Sequence, residues 1–426
     1  MKRKKERITL TEVAETCGGT INSESFLNDA RKRPEDFTRN RKLPFPLLML
    51  FMLNMIKSSI KTCLDRFFEL IGQEDVSMTQ QAFSEARKKI KWQGFQLLFT
   101  SLVDLIYTGF YSTWRGYRLS AIDGTKTQLP DDQKLRDYFG TFGKGNTAAT
   151  AQGSALYDVL NNVLLDAQLE PIKTDERELA LRHIDALCKM PSFDKECTLF
   201  DRGYASFDLI NTLISRGISF VMRVRRKFNV SIDRLEEGDH HDIILSKNGY
   251  EDIPVRVIKF TLPSGEEETL ITDINDRSLD IQAFKELYFM RWNVETKYDE
   301  IKNKLEVENF SGRTVDAVKQ DFFISMYLSN VMAVARWEAQ ADVDEAREHK
   351  DNKYSYHVNA NHAIGAFKDR FIMAVLEPNR RRRSKKLKRI LFLMTENVTP
   401  TRPDRSLPRN LSPRKAKFRH NRKHNC

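Results

Sequence analysis

Tyr288-Phe289-Met290-Arg291-Trp292-Asn293-Val294-Glu295-Thr296-Lys297-Tyr298-Asp299-Glu300-Ile301-Lys302 is the stretch that decides the fold of this 426-residue chain. Tyr288, Arg291, Glu295 and Lys302 follow one another at steps of 3, 4 and 7 residues. On an α-helix those steps keep all four side chains on one face. A second set, Leu287, Met290, Val294, Tyr298, Ile301 and Leu305, runs at steps of 3, 4, 4, 3 and 4. That is the buried stripe of an amphipathic helix. The spacing predicts one helix, with an apolar stripe against a core and an acid, two bases and a phenol along the stripe beside it. Spacing alone leaves a second reading open. In a chain that is 30% charged, such a polar stripe is also an ordinary solvated face.

At this length the chain buries large cores and divides into two or three domains. Its 70 Lys and Arg outnumber 59 Asp and Glu, for a net charge of +11. The sequence pI is about 9.2. That excess favours a polyanionic partner and by itself does not separate DNA, RNA and acidic membrane. The five cysteines, Cys17, Cys63, Cys188, Cys197 and Cys426, form no CxxC pair and no Cys/His zinc spacing. They read as reduced thiols of a cytosolic protein. No secretory leader is expected at the start of the chain. The apolar run from Phe45 to Ile56 is interrupted by Pro46 and Asn54. It falls short of the ~20 residues that span a bilayer. It reads as a buried helix, and no membrane partner is expected. The opening Lys2-Arg3-Lys4-Lys5 reads as a solvated tail.

Residues 1–112 read as a helical N-terminal domain that binds DNA. Apolar periodic runs cover Leu47 to Ile71, Ala82 to Ile90 and Phe95 to Ile106. Gly72 is placed to stop the first, and Ser77 with Gln80 to cap the second. The basic cluster Arg87, Lys88, Lys89 and Lys91 supports two readings. One is a helix-turn-helix-like reader with Arg87 and Lys88 on the DNA. The other is a helical scaffold with a basic surface.

Residues 113–226 change to an α/β pattern. Tyr117 to Thr127 reads as a strand, ended by Pro130. Thr150 to Val159 and Val163 to Leu169 read as a hairpin around Asn161-Asn162. Glu176 to Cys188 reads as a helix with Asp175 and Glu178 as its capping pair. Cys197 to Phe200 is a short strand ending at Asp201. Phe207 to Ser215 is a helix stopped by Gly217, and Ile218 to Val224 is another strand. This order suits a mixed sheet with helices on both faces. Residues 227–274 read as a β insertion, with strands at Asp242 to Leu245, Val255 to Leu262 and Thr269 to Ile274. Residues 275–345 resume the α/β core, and residues 346–426 form a basic C-terminal region. Within it, Arg380 to Arg389 hold eight bases in ten positions, and residues 400–426 add nine bases against the single acid Asp404. Charge this dense contacts nucleic acid, with Arg381, Arg382 and Lys385 the candidates. Pro403, Pro408 and Pro413 argue against a folded tail.

Tyr288, Arg291, Glu295 and Lys302 match the Y-x2-R-x3-E-x6-K signature of the insertion-sequence-four family of DDE transposases, which the chain therefore resembles. Ala121-Ile122-Asp123-Gly124-Thr125 is similar to the strand end that carries that family's first aspartate. Leu199-Phe200-Asp201-Arg202-Gly203-Tyr204 is similar to the stretch that carries the second. The resemblance covers residues 117–312 and extends more weakly to both ends. It implies an RNase H-like catalytic core, interrupted by the β insertion and flanked by the helical domain and the basic tail. It implies that Asp123, Asp201 and Glu295 are the catalytic, metal-holding acids, and that Tyr288, Arg291 and Lys302 hold the DNA end. Arg291 also reads as an i,i+4 partner of Glu295, before metal binds.

Three oxygen donors without histidine or cysteine suit Mg²⁺ or Mn²⁺ and not zinc. Two such ions ~3.5–4 Å apart clamp the attacking and leaving oxygens of an in-line phosphoryl displacement. The expected activity is cleavage at transposon ends and transfer of the freed 3′-hydroxyl to target DNA. The expected state is a homodimer in the synaptic complex, in the bacterial cytosol or nucleoid. Two rivals stand beside it: a metal-dependent DNA nuclease without strand transfer, and a non-catalytic DNA-binding descendant of a transposase. Two other motifs carry less. Gly140-x2-Gly143-Lys144-Gly145 lacks the phosphate-loop spacing, and His240-His241 reads as exposed. In the insertion, Tyr250 is the aromatic best placed to stack an extruded base, with a role in second-strand processing.

Overall fold

The computed structural model describes residues 6–39, 41–54, 56, 58–143, 145, 148–262, 264–350 and 353–401. Helices α1 (Leu10–Ile21), α2 (Glu24–Ala30), α3 (Phe45–Leu53), α4 (Ile60–Leu70), α5 (Gln80–Arg87) and α6 (Trp92–Ile106) come first. Then follow β1 (Arg118–Gln128), α7 (Gln133–Phe139), β2 (Thr150–Asp158), β3 (Val163–Pro171), α8 (Glu176–Lys189), β4 (Glu196–Phe200), α9 (Phe207–Ser215) and β5 (Ser219–Arg223). The insertion holds α10 (Val230–Asp233), β6 (Gly238–Leu245), β7 (Ile253–Thr261) and β8 (Glu267–Thr272). Next are α11 (Ile281–Phe289), α12 (Trp292–Asp299), a π-helical turn (Glu300–Lys304) and α13 (Val315–Glu345). The last elements are β9 (Tyr356–Val358), α14 (Ala360–Phe367), α15 (Arg370–Val375), α16 (Arg380–Thr395) and β10 (Val398–Pro400). None of the described helices is long and apolar enough to cross a membrane.

The chain forms two compact units. The helical unit takes Met1–Phe110, Thr127–Ala151 and Glu300–Cys426, and the sheet unit takes Tyr111–Lys126 and Gln152–Asp299.

The helical unit is built on α13, which is apolar nearly all round and buried along most of its length, as a central helix must be. α6 packs on it, with the Trp92 and Phe323 rings stacked 5.5 Å apart. The apolar run at Phe45 is the buried helix expected of it, since seven of the residues of α3 are inaccessible. The predicted single run from Leu47 to Ile71 is two helices instead. Asn54 ends α3, and the Ser59 side chain caps α4 by accepting from the Thr62 N–H. The cap of α5 is Thr79 and not Ser77, again because its side chain accepts a free N–H of the first turn.

Two basic clusters land differently from expectation. Arg87 is buried and spent within the helical unit. Its guanidinium donates to Gln320 Oε1 at 2.6 Å, Ser311 Oγ at 2.6 Å, the Ala317 carbonyl at 2.7 Å and Asp321 Oδ1 at 2.8 Å. It holds α5 to the start of α13, buried where a surface base was expected. Lys88 is exposed and pairs with Glu85. The run from Arg380 is a folded helix and not a loose tail. In α16 the side chains of Leu387, Ile390, Leu391 and Met394 are buried while Arg381, Arg382 and Lys385 are exposed. The Asn379 side chain caps this helix by accepting from the Arg382 N–H. The basic stretch 402–426 lies outside the described residues.

The large sheet runs in the order β3-β2-β1-β4-β5-β8-β7-β6. β1, β4 and β5 are parallel, and along β5, β8, β7 and β6 each strand is antiparallel to its neighbour. The first five strands have the RNase H-like order. The insertion continues the same sheet by three strands, pairing β8 with β5. At the far edge β6 has a bulge between His240 and Ile243, with Asp242 at φ 56°. The β2–β3 hairpin turns at Asn161-Asn162 as expected, with Asn162 at φ 56°. Asn161 is held by Asp158 and by the Ser112 backbone.

A buried ion pair sets the register of β1 on β4. Arg118 Nε and Nη2 donate to the two carboxylate oxygens of Glu196 at 3.0 and 2.5 Å, and Nη1 donates to Ser192. Both side chains are 1% exposed. Burial raises the Glu196 carboxyl above its ordinary pKa, with the Arg118 guanidinium opposing it. Losing one member of such a pair strands the other charge. Arg118→Ala is therefore expected to destabilise the protein by about 3–5 kcal/mol, and the double change Arg118→Met with Glu196→Leu by far less. Chemical denaturation of the three proteins checks this; equal losses for the single and double variants would contradict it.

Candidate active site

The candidate acids lie where the parallel strands end. β1 and β4 pair with Arg118 opposite Glu196 and Ala121 opposite Leu199. Carried two residues further, that register sets Asp123 level with Asp201, the first residue beyond β4. The Asp123 carboxylate accepts the Gly124 N–H at 2.9 Å. Burial pushes its pKa up to about 6. The Gly124 bond and Arg291 work against that shift, while Glu295 and Glu176 reinforce it. A side chain at Gly124 would press on two side-chain ends packed beside it. A Cβ would stand 2.7 Å from Glu176 Oε1 and 2.9 Å from Gln152 Nε2, which are themselves hydrogen-bonded. The Asp201 carboxylate accepts from the Tyr288 hydroxyl at 3.4 Å.

The stretch 288–302 is not one helix. Tyr288 is in α11, Arg291 in a turn, Glu295 in α12 and Lys302 in the π-helical turn. At the first break the Met290, Arg291, Asn293 and Val294 amides bond three residues back instead of four, which tightens the chain. At the second, the Leu305 amide bonds five residues back to Glu300, which widens it. The expected apolar stripe is buried at Leu287, Val294, Ile301 and Leu305, while Met290 and Tyr298 are part-exposed. The expected polar stripe is largely inside: Tyr288 is 5% and Arg291 4% exposed.

Arg291 is the electrostatic centre of the sheet unit's site. Its Nη2 stands 3.5 Å from Glu295 Oε1. Its guanidinium lies over the Trp292 and Tyr288 rings at 4.9 and 5.7 Å. Burial would lower its pKa, but Tyr288, Asp201, Asp123 and Glu295 together outweigh burial and raise it. Its Nε is buried without a partner among the described residues. The Tyr288 phenol is raised by burial, with Arg291 opposing. Lys302 belongs to the helical unit. Its Nζ lies 3.7 Å from Glu308, and burial lowers its pKa while Glu308 raises it.

The donor chemistry fits a hard divalent cation, because the acids around Arg291 are carboxylates, and among the described residues no thiol or imidazole joins them. Among the described residues no three of His, Cys, Asp and Glu gather tightly enough to chelate one ion. The positive charge among Asp123, Asp201 and Glu295 is the Arg291 guanidinium.

Sequence reasoning missed several residues. The Asp123 backbone carbonyl accepts from Tyr298 Oη at 2.6 Å and, at a longer 3.4 Å, from Ser154 Oγ. Ser154 lies 3.0 Å from His183 Nε2, and His183 Nδ1 lies 2.7 Å from Asp166. This Ser-His-Asp series is not a nucleophile. Ser154 is 2% exposed, and its hydroxyl faces the carbonyl behind Asp123. Tyr204 is 2% exposed with no partner for its hydroxyl among the described residues, and burial beside Asp123, Glu176 and Asp201 raises its pKa. Only Tyr204 carried a signal, its place in the Asp201 motif. Tyr298 was hidden in the apolar stripe. Tyr250 packs on Phe207, ring centres 5.6 Å apart, and its hydroxyl donates to Asp208. His241 bonds Asn275, and His240 bonds the Glu236 carbonyl.

Fold and site together define a DDE-type domain on an RNase H-like sheet. The profile of the transposase DDE domain family matches residues 114–331, half of the chain, and the protein belongs to that family. Among its relatives is InsZ of Escherichia coli (strain K12), which carries a transposase name. It is 32% identical over 133 residues, 30% of this chain and 42% of that one. The E. coli (strain K12) transposase InsG of insertion sequence element IS4 is 22% identical over 404 residues, 89% of this chain and 88% of that one. The first of these matches spans well under half of its relative's length. Among solved structures, the piggyBac transposase synaptic complex with hairpin DNA has a similar fold. The TM-score is 0.50 at 11% identity, over 93% of this chain and 88% of that one.

The raised Asp123 carboxyl gives a pH prediction. A group protonated to higher pH in the folded than in the unfolded chain contributes stability below its unfolded pKa and loses it as pH rises through the folded value. Asp123 therefore costs stability progressively from about pH 4 to above pH 6. In EDTA, Asp123→Asn is expected to match the wild type at pH 4 and to exceed it at pH 8 by about 2 kcal/mol, allowing for solvent screening. Melting curves across that range check it. A variant no more stable than the wild type at pH 8 would refute the buried, uncompensated carboxylate.

Proposed function

We propose that this protein is a transposase that cleaves DNA at transposon ends and joins the freed 3′-hydroxyl to target DNA. The observation that carries the reading is the grouping of Asp123, Asp201 and Glu295 around one buried guanidinium at the end of an RNase H-like sheet. These three acids are the candidate holders of Mg²⁺ or Mn²⁺, two ions in the full site. When bound, such ions activate the attacking oxygen and neutralise charge on the phosphate.

The chain's own residues do the rest. Arg291 pairs with Glu295 while the acids hold no cation. With Glu295 engaged in holding a cation, its planar fork would be free to bind a DNA phosphate. The Tyr288 hydroxyl, kept protonated by burial, holds Asp201 in place. Lys302 offers a point charge to DNA phosphate. Arg381, Arg382 and Lys385 on α16, with Lys88, supply sequence-independent attraction to the phosphate backbone. A homodimer would bring two transposon ends together in the bacterial cytosol or nucleoid.

The test is a strand-transfer assay with a pre-cut end and supercoiled target. Joining in Mg²⁺ is expected, and it should vanish in Asp123→Asn, Asp201→Asn and Glu295→Gln while DNA binding persists. Cleavage without joining would make the protein a nuclease. Neither activity in the wild type would leave a DNA-binding descendant.

The α16 cluster has its own test. Deleting the helix would remove Leu387, Ile390 and Leu391 from the core, so the exposed bases are better changed alone. Arg381→Gln, Arg382→Gln and Lys385→Gln together are expected to make the log–log salt slope of DNA binding shallower by up to about 2.7, at roughly 0.9 per phosphate contact. An unchanged slope would remove α16 from the interface.

A further inference from the structure

We infer that Tyr298 is a positioning residue of the three-acid site, its hydroxyl setting the helix that carries Glu295 against the strand that carries Asp123. The inference rests on the reading that those acids hold a divalent cation.

Tyr298 lies three residues after Glu295 on α12, which is only eight residues long. That helix is bounded by the tight turn at Met290–Arg291 and by the π-helical turn from Glu300. Regular helix therefore continues from neither end to fix where Glu295 stands. The Tyr298 hydroxyl supplies a fixed point. It donates to the Asp123 carbonyl at 2.6 Å, so one hydrogen bond ties α12 to β1.

The carbonyl it binds is itself braced. Ser154 Oγ approaches the same oxygen from β2, backed by His183 and Asp166. The first acid thus sits on a strand held from behind, and Tyr298 references the third acid to that strand. A phenylalanine would keep the ring and lose the reference.

Groups that orient the ligands of a metal typically change its affinity about 10- to 100-fold when removed. Tyr298→Phe in the full chain, free of DNA, is accordingly expected to fold normally and to bind Mn²⁺ about 10- to 100-fold more weakly by electron paramagnetic resonance titration. Nicking of transposon-end DNA should fall at limiting Mn²⁺ and recover at saturation. In a Glu295→Gln background the same change should have no further effect on Mn²⁺ affinity, since the helix no longer carries a ligand. Ser154→Ala removes the other hydroxyl without touching α12 and should leave Mn²⁺ affinity unchanged. Wild-type affinity in Tyr298→Phe, an equal loss in the Glu295→Gln background, an equal loss in Ser154→Ala, or failure of Tyr298→Phe to fold would each overturn the inference. Wild-type protein whose Mn²⁺ binding is indifferent to Asp123→Asn and Glu295→Gln would instead sink the metal-site reading, and this inference with it.

Discussion

The parallel register of β1 on β4 is the constraint on which the site depends. Arg118 and Glu196 are 78 residues apart in sequence, and so are Ser120 and Thr198. Asp123 and Asp201 share that offset. The fork-to-fork ion pair and the hydroxyl pair therefore hold the two aspartates level from one strand-length away. A slip by one residue would turn every side chain to the opposite face. It would also bury Arg118 and Glu196 unpaired. The sheet defends the acids' geometry with charges that take no part in the chemistry.

Glu295 cannot be placed that way, because it arrives on a helix after a β insertion. The insertion does not hang off the core as a separate body. β8 pairs with β5, so its three strands lengthen the same sheet. α11 then begins at Ile281, shortly after β8 ends, with Asp280 capping it. The tight turn at Met290–Arg291 buries a guanidinium that a continuous helix would have carried on its polar stripe. The electrostatics of the site thus follow from a helix break.

Local signals were legible in the sequence. Gly217 stops α9 at φ 67°, Asn162 turns the hairpin, and Asp175 caps α8 through the Arg177 N–H. Each is fixed by residues within a few positions. Misreadings came where distant residues decide. Arg87 looked like a surface base, but partners more than 220 residues away bury it. The break within 288–302 left no glycine or proline to mark it. Tyr298 satisfied the apolar period and so looked like core, although its value lies in a hydroxyl aimed at a backbone carbonyl. Charge density alone suggests a loose tail at α16, yet Leu387, Ile390 and Leu391 already give it a helical period.

The bulge in β6 has a consequence for solubility. β6 is an outer strand of an eight-stranded sheet, and an unpaired edge invites a foreign strand to add to it. Here the strand opens with Asp239, His240, His241 and Asp242, and the bulge at Asp242 bends its first half out of line with the second. A visiting strand would meet charges and a ladder interrupted midway. The paired histidines and aspartates, which suggest a metal site at first sight, are better understood as a guard against fibrous self-association.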